Sequence, residues 1–143
     1  MARIAKVYVT KVDRDEAYEA HKLAFPDDKW CGDECTYWLA KRAGKVVGFL
    51  AAYCDERGVF ISRVAVVVAE QGTGLGRRLV RLAIRWGYNC GYAHAYTYTL
   101  LKNYPSMSML LRCGFRFVEP PKSGQYHGTG VHYFARQIRA GGR

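Results

Sequence analysis

The segment Gly72-Thr73-Gly74-Leu75-Gly76 constrains this chain more than any other. Three glycines at alternate positions separate an apolar, β-branched run from a helical pattern. Glycine adopts left-handed backbone conformations without steric cost and lets another group approach the main chain. The helix that follows presents unpaired N–H groups and the positive end of its dipole. Together these features suit a phosphate or pyrophosphate. The plainer alternative is a turn that only joins strand to helix. Spacing excludes two common phosphate loops. G-x-G-x-x-G needs another residue before its last glycine, and no G-x-x-x-x-G-K-[ST] run exists.

The flanking pattern predicts a mixed sheet. Ala5 to Val12 reads as a strand. Asp13 offers a helix N-cap with Glu16 three residues on, and Ala17, Ala20, His21 and Ala24 share a face. Pro26 ends that helix, and a polar loop anchored by Trp30 follows. Thr36–Arg42 and Lys45–Tyr53 flank an Ala43-Gly44 turn, and Val59–Val68 follows a second turn at 55–58. After the glycine loop, Leu75, Leu79, Leu82 and Trp86 form one helical face and Arg77, Arg81 and Arg85 another. Gly87 and Gly91 bracket the helix end. Tyr92–Leu100 reads as a strand, Ser106–Cys113 as a helix, and Phe115–Val118 and Val131–Ile138 as strands joined by a loop over 120–129. Strand, helix and strand around the glycine loop make a crossover, so those two strands should be parallel. The fold class is therefore α+β in α/β-like layers, within one domain over residues 1–143.

Composition narrows the partners. Lys plus Arg is 22 against 12 acids, a net charge of +10. That balance favours a polyanion: nucleic acid, an anionic membrane or a phosphate-rich cofactor. A merely basic surface would look the same. The arginines spread over several elements, which weighs against a dedicated nucleic-acid binder. The longest apolar run, Val64 to Ala69, falls far short of the roughly 20 residues of a membrane span. No charged n-region with an apolar h-region opens the sequence, so a cytoplasmic protein is expected. The five cysteines (Cys31, Cys35, Cys54, Cys90, Cys113) then read as free thiols. The Cys31/Cys35 pair lacks the spacing and ligand number of a structural zinc site, so no metal is expected.

At this point the sequence resembles the GNAT superfamily of N-acetyltransferases. Gln71-x-x-Gly74-x-Gly76 matches its [R/Q]-x-x-G-x-[G/A] acyl-CoA signature. Val64-Ala65-Val66 stands where its pantetheine-binding strand ends. Asn103 precedes Cys113-Gly114-Phe115 as in its downstream N…G-F pattern, and Tyr133–Ile138 resembles its closing strand. The resemblance covers residues 44 to 138 well, and the first 43 residues only by element order. It implies a mostly antiparallel sheet of six to seven strands, flanked by helices, with strands four and five splayed and a bulge in strand four. It implies acetyl-CoA as donor, with CoA as product. By that resemblance Val64, Ala65 and Val66 bind the pantetheine arm through their main chain. Gln71, Gly72, Thr73, Gly74, Leu75, Gly76 and Arg77 cradle the pyrophosphate, and Asn103 contacts the arm.

The implied reaction is acetyl transfer to an amine, either a small molecule or a protein or peptide amine. A lysine-like amine has a pKa of about 10.4 and must lose its proton before attack. Candidate bases are Glu34, Asp27, Asp28 and His127, or a water held by Ser62 or Tyr98. An acidic acceptor would suit the charge. Where the family pattern carries a tyrosine that protonates the leaving thiolate, this chain has Leu110. Ser106, one helical turn away, is the candidate substitute donor. A catalytically inactive CoA-binding regulator and a basic nucleic-acid-binding domain remain as rival readings, and a homodimer is compatible with either.

Overall fold

The computed structural model describes residues 5–100, 103–119 and 131–138. Seven strands form one mixed sheet in the order β1-β2-β3-β4-β5-β7-β6. The strands are β1 (Val7–Val12), β2 (Thr36–Arg42), β3 (Lys45–Asp55), β4 (Gly58–Val66), β5 (His94–Leu100), β6 (Arg116–Val118) and β7 (Val131–Gln137). Three helices accompany them: α1 (Arg14–Ala24), α2 (Leu75–Asn89) and α3 (Tyr104–Arg112). A single 3₁₀ turn, Val68–Glu70, leads from β4 to the glycine loop. No helix among the described residues is long and apolar enough to cross a membrane.

The chain organises into two compact units, Met1–Tyr53 with Ser62–Leu79, and Cys54–Ile61 with Val80–Arg143. In the first unit, β1 pairs antiparallel with β2 and β2 with β3. The β2–β3 register shifts between Ala40 and Lys41. Their hairpin closes over Ala43-Gly44, as the sequence predicts, with both residues in left-handed conformations (φ 51° and 79°). That geometry is the two-residue turn whose twist matches the strands. Alanine is a poor occupant of the first position, because its Cβ crowds the following carbonyl. Ala43→Asn should therefore stabilise the protein by about 1 kcal/mol, raising the calorimetric midpoint by about 3 °C. An unchanged or lower midpoint would refute this account of the turn.

Helix α1 begins where its cap predicts. Asp13 Oδ1 accepts from the Glu16 N–H at 2.8 Å. Ala17 and His21 face inward, and the helix closes at Phe25, whose N–H donates to the His21 carbonyl. Ala17, Tyr37, Leu39, Phe49 and Ala51 form this unit's core.

In the second unit, the first half of β4 pairs parallel with β5 through Val59↔Ala95 and Phe60↔Tyr96. This short register is what splaying strands require. β5 pairs antiparallel with β7, and β7 with β6. Several expected boundaries shift. β4 ends at Val66, not Val68, because the chain turns into the 3₁₀ helix. Val68 is consequently exposed rather than a core strand residue. α3 starts at Tyr104 rather than Ser106, since Pro105 suits a helix's first turn. The buried face of α2 runs through Leu75, Leu79, Val80, Ala83 and Ile84, with Leu82 and Trp86 at its margin. Gly87 does not end α2. It lies inside the helix, where a Cβ would stand 2.1 Å from Val59 Cγ2. The loop over 120–129, with His127, lies outside the described residues.

Candidate functional site

The second half of β4 and the glycine loop belong to the same compact unit. The first half of β4 is buried at Val59, Phe60 and Ile61. From Ser62 to Val66 it is only half-covered, although Val64, Ala65 and Val66 are as apolar as the buried stretch. The Gln71 side chain turns back to this strand, with Nε2 donating to the Val66 carbonyl at 3.3 Å. Val67 N–H donates to the Val47 carbonyl at 3.0 Å, which fixes the strand end against β3.

Gly72 and Gly74 both take left-handed conformations, at φ 83° and 89°. A Cβ on Gly72 would meet nothing within 4 Å, so the loop borders open space. Arg78 N–H donates to the Gly74 carbonyl, which makes Gly74 the N-cap of α2. A glycine cap offers no side-chain oxygen to the helix start. The N–H groups of Leu75, Gly76 and Arg77 therefore lack intrahelical acceptors and mark the positive end of the helix. The Arg77 guanidinium reaches back to within 3.6 Å of where a Gly74 Cβ would stand. Leu75 and Leu79 hold this end of α2 on the sheet by packing over Gly48, where a Cβ would come within 3.2 Å of both. Open space, glycine backbone, a helix N-terminus and a cation thus meet at one place. That combination fits a pyrophosphate.

An ion pair that local spacing does not suggest braces the approach to the loop. Arg42 on β2 grips Glu70 with two parallel bonds, Nε to Oε2 at 2.8 Å and Nη2 to Oε1 at 2.9 Å. The Glu70 carbonyl in turn accepts from the Thr73 N–H at 3.3 Å and the Thr73 hydroxyl at 2.6 Å. Hydrogen bonding to Arg42 pulls the Glu70 carboxyl below the usual carboxylate range. The pair spans 28 residues of sequence, beyond the reach of any periodicity.

The loop between α1 and β2 carries three of the candidate bases. Asp28 pairs with Arg63 at 3.4 Å, and Arg63 Nη2 also donates to the Lys29 carbonyl. Glu34 folds over Gly32, whose φ is 104°. Asp27 is exposed. The Ser62 hydroxyl donates to the Cys31 carbonyl at 3.4 Å. Trp30 anchors the loop as the sequence predicts. Its ring stacks on Tyr37 at 5.3 Å and meets Tyr18 edge-on at 5.2 Å. His21, which periodicity places only on a helical face, is 3% exposed among Phe25, Trp30 and Phe49. Its Nε2 has no hydrogen-bond partner among the described residues. Burial lowers its pKa, with Arg63 adding to the effect, so the imidazole stays neutral around neutral pH.

The remaining predicted residues lie in the second unit. Asn103 is the N-cap of α3, its Oδ1 accepting from the Ser106 N–H at 3.3 Å. Ser106 is half-buried in the first turn of α3. Leu110 is packed in the core at 4% exposure, which matches its apolar chemistry and leaves it without a proton to give. Tyr98 stacks on Phe60 at 5.8 Å.

A family profile described as "Acetyltransferase (GNAT) family" matches residues 5–115. The chain belongs to the acetyltransferase (GNAT) family. It is 33% identical over 85 residues to a mycothiol acetyltransferase of Streptomyces bingchenggensis. That match takes in 58% of this chain and 28% of the relative, so the chain spans under a third of that protein's length. The ribosomal-protein-S18-alanine N-acetyltransferase of Escherichia coli has a similar fold, with a TM-score of 0.78 at 15% identity over 96% of this chain and 97% of that one. A Bacillus subtilis acetyltransferase solved in complex with CoA gives a TM-score of 0.70 at 18% identity, covering 93% and 98%. The seven-stranded mixed sheet with its parallel β4–β5 pairing is thus the GNAT fold.

Proposed function

We propose that the protein transfers an acetyl group from acetyl-CoA to an amine. The observation that carries this reading is the open, left-handed glycine loop set on the N-terminus of α2. Acetyl-CoA supplies a thioester, an acetyl group activated toward a neutral amine. The N–H groups of Leu75, Gly76 and Arg77, with the Arg77 guanidinium, hold the pyrophosphate. The main chain of Val64 and Val66 receives the pantetheine arm, as it would an added strand. Glu34 and Asp28 are the described carboxylates placed to take the amine's proton. Asn103, engaged as a helix cap, keeps α3 in place for Ser106, which protonates the departing thiolate directly or through water.

The test is acetyl-CoA-dependent release of free thiol against a panel of small amines and peptide amines, some with acidic flanks. Thiol release with at least one amine is expected. Ser106→Ala should lower turnover at saturating acetyl-CoA by about a hundredfold or more while leaving CoA affinity unchanged. Equal turnover in the two proteins from pH 6 to 9 would remove Ser106 from the chemistry. Tight CoA binding with no turnover on any amine would favour the inactive regulator, and Leu110 is the residue that gives this second reading its footing.

A further inference from the structure

The loop between α1 and β2 holds two thiols whose geometry the acetyl-transfer reading does not use. Cys31 and Cys35 flank Gly32-Asp33-Glu34, and both are half-buried against the first unit's core. The turn between them is fixed from four sides. Tyr37 OH donates to the Gly32 carbonyl at 2.5 Å. Trp30 Nε1 and Arg14 Nε both donate to Asp33 Oδ1, at 2.7 and 2.8 Å. Gly32 takes a left-handed conformation that a side chain would strain. The Ser62 hydroxyl lies within hydrogen-bonding reach of the Cys31 carbonyl and the Cys35 thiol. The loop thereby turns the two sulfurs toward each other, close enough that one thiol donates to the other.

Their surroundings separate the roles of the two sulfurs. The hydrogen bond from Cys35 pulls the Cys31 thiol below its ordinary range against the cost of burial, and the Arg63 guanidinium adds to the pull. The same hydrogen bond and burial push the Cys35 thiol up. Glu34 opposes the thiolate at both positions. A thiolate is the nucleophile in thiol oxidation, and a neighbouring thiol decides whether oxidation stops at a reversible product. Cys54, Cys90 and Cys113 lie in the other unit.

We infer that Cys31 and Cys35 form a redox-active dithiol, oxidised by hydroperoxides to a reversible intrachain disulfide. The Cys31 thiolate attacks the peroxide O–O bond, gaining OH as a sulfenic acid while the alcohol or water leaves. The Cys35 sulfur then attacks Cys31. The S–S bond forms, the S–O bond breaks, and water departs with the Cys35 proton. Two thiols and one hydroperoxide become one disulfide, one alcohol or water, and one water.

The test uses the full chain and needs no acetyl-CoA, so it stands apart from the acetyl-transfer reading. The reduced protein is treated with a few equivalents of hydrogen peroxide, alkylated and digested with trypsin. Cleavage after Lys29 and Lys41 leaves both cysteines on one peptide, 30–41. That peptide should become two hydrogens lighter and resist alkylation, the five titratable thiols should fall by two, and dithiothreitol should restore them. In Cys35→Ser, Cys31 should instead be trapped as a sulfenic acid by dimedone, because its resolving partner is gone. Retention of both thiols, irreversible overoxidation in the wild type, or linkage through Cys54 or Cys90 would each overturn the proposal.

Discussion

Gly87→Ala is expected to lower the thermal midpoint by about 10 °C, equivalent to roughly 3 kcal/mol of overpacking. In an exposed helix the same change would stabilise by up to about 1 kcal/mol, since alanine loses less backbone entropy. The sign reverses here because the added Cβ would lie 2.1 Å from Val59 Cγ2 and 3.4 Å from Ile138 Cδ1. Val59 is fully buried and β-branched, and its strand is in register with Ala95, so it has little freedom to withdraw. Removing the obstacle should recover the loss. Gly87→Ala combined with Val59→Ala should be markedly more stable than the sum of the two single changes predicts. Additive losses in differential scanning calorimetry would show that the helix yields and that Gly87 is not a contact point.

The second large effect concerns ligand rather than stability. Gly74→Val should weaken CoA binding at least tenfold by calorimetry. Gly74 sits at φ 89°, a conformation that a β-branched residue adopts only under strain. Its Cβ would also stand on the Arg77 side of the loop, within the space offered to the phosphates. Circular dichroism and the melting midpoint separate the two causes. Unchanged CoA affinity in a folded Gly74→Val protein would sink the placement of the pyrophosphate. Arg77→Ala should meanwhile flatten the salt dependence of CoA binding, because a partly exposed cation–phosphate contact is screened by added ions. Equal salt slopes would place Arg77 outside the site.

Features that work over a few residues are legible in the sequence. Asp13 is recognisable as a cap and Ala43-Gly44 as a turn because each acts through residues at most three apart. The glycine loop is legible for the same reason, as its function depends on consecutive backbone conformations. Pro105 looks like a boundary in the sequence but belongs to the first turn of α3, so the helix starts two residues earlier than its pattern suggests. Gly87 looks like a terminator because nothing near it in sequence names Val59, with which it packs. Arg42 with Glu70, and Ser62 with the Cys31 loop, are separated by 28 and 31 residues, and only the sheet brings them together. Periodicity gives His21 the right face but no neighbours, since Trp30 and Phe49 reach it from a loop and from β3.

The Arg42–Glu70 grip has a consequence for how the phosphate loop meets its ligand. A carboxylate one residue before an anion-binding loop would ordinarily repel what the loop is built to receive. Bidentate pairing with Arg42 neutralises it and also fixes the carbonyl on which Thr73 leans. The loop is thus ordered when the chain folds, and less conformational freedom remains to be lost when a ligand arrives. Because the Glu70 carboxyl titrates below its unfolded value, its contribution is complete above that unfolded value. It fades only as the pH drops through the lower, folded one. Mild acidification should leave the loop's shape intact, so affinity lost there would have to come from the ligand's own ionisation.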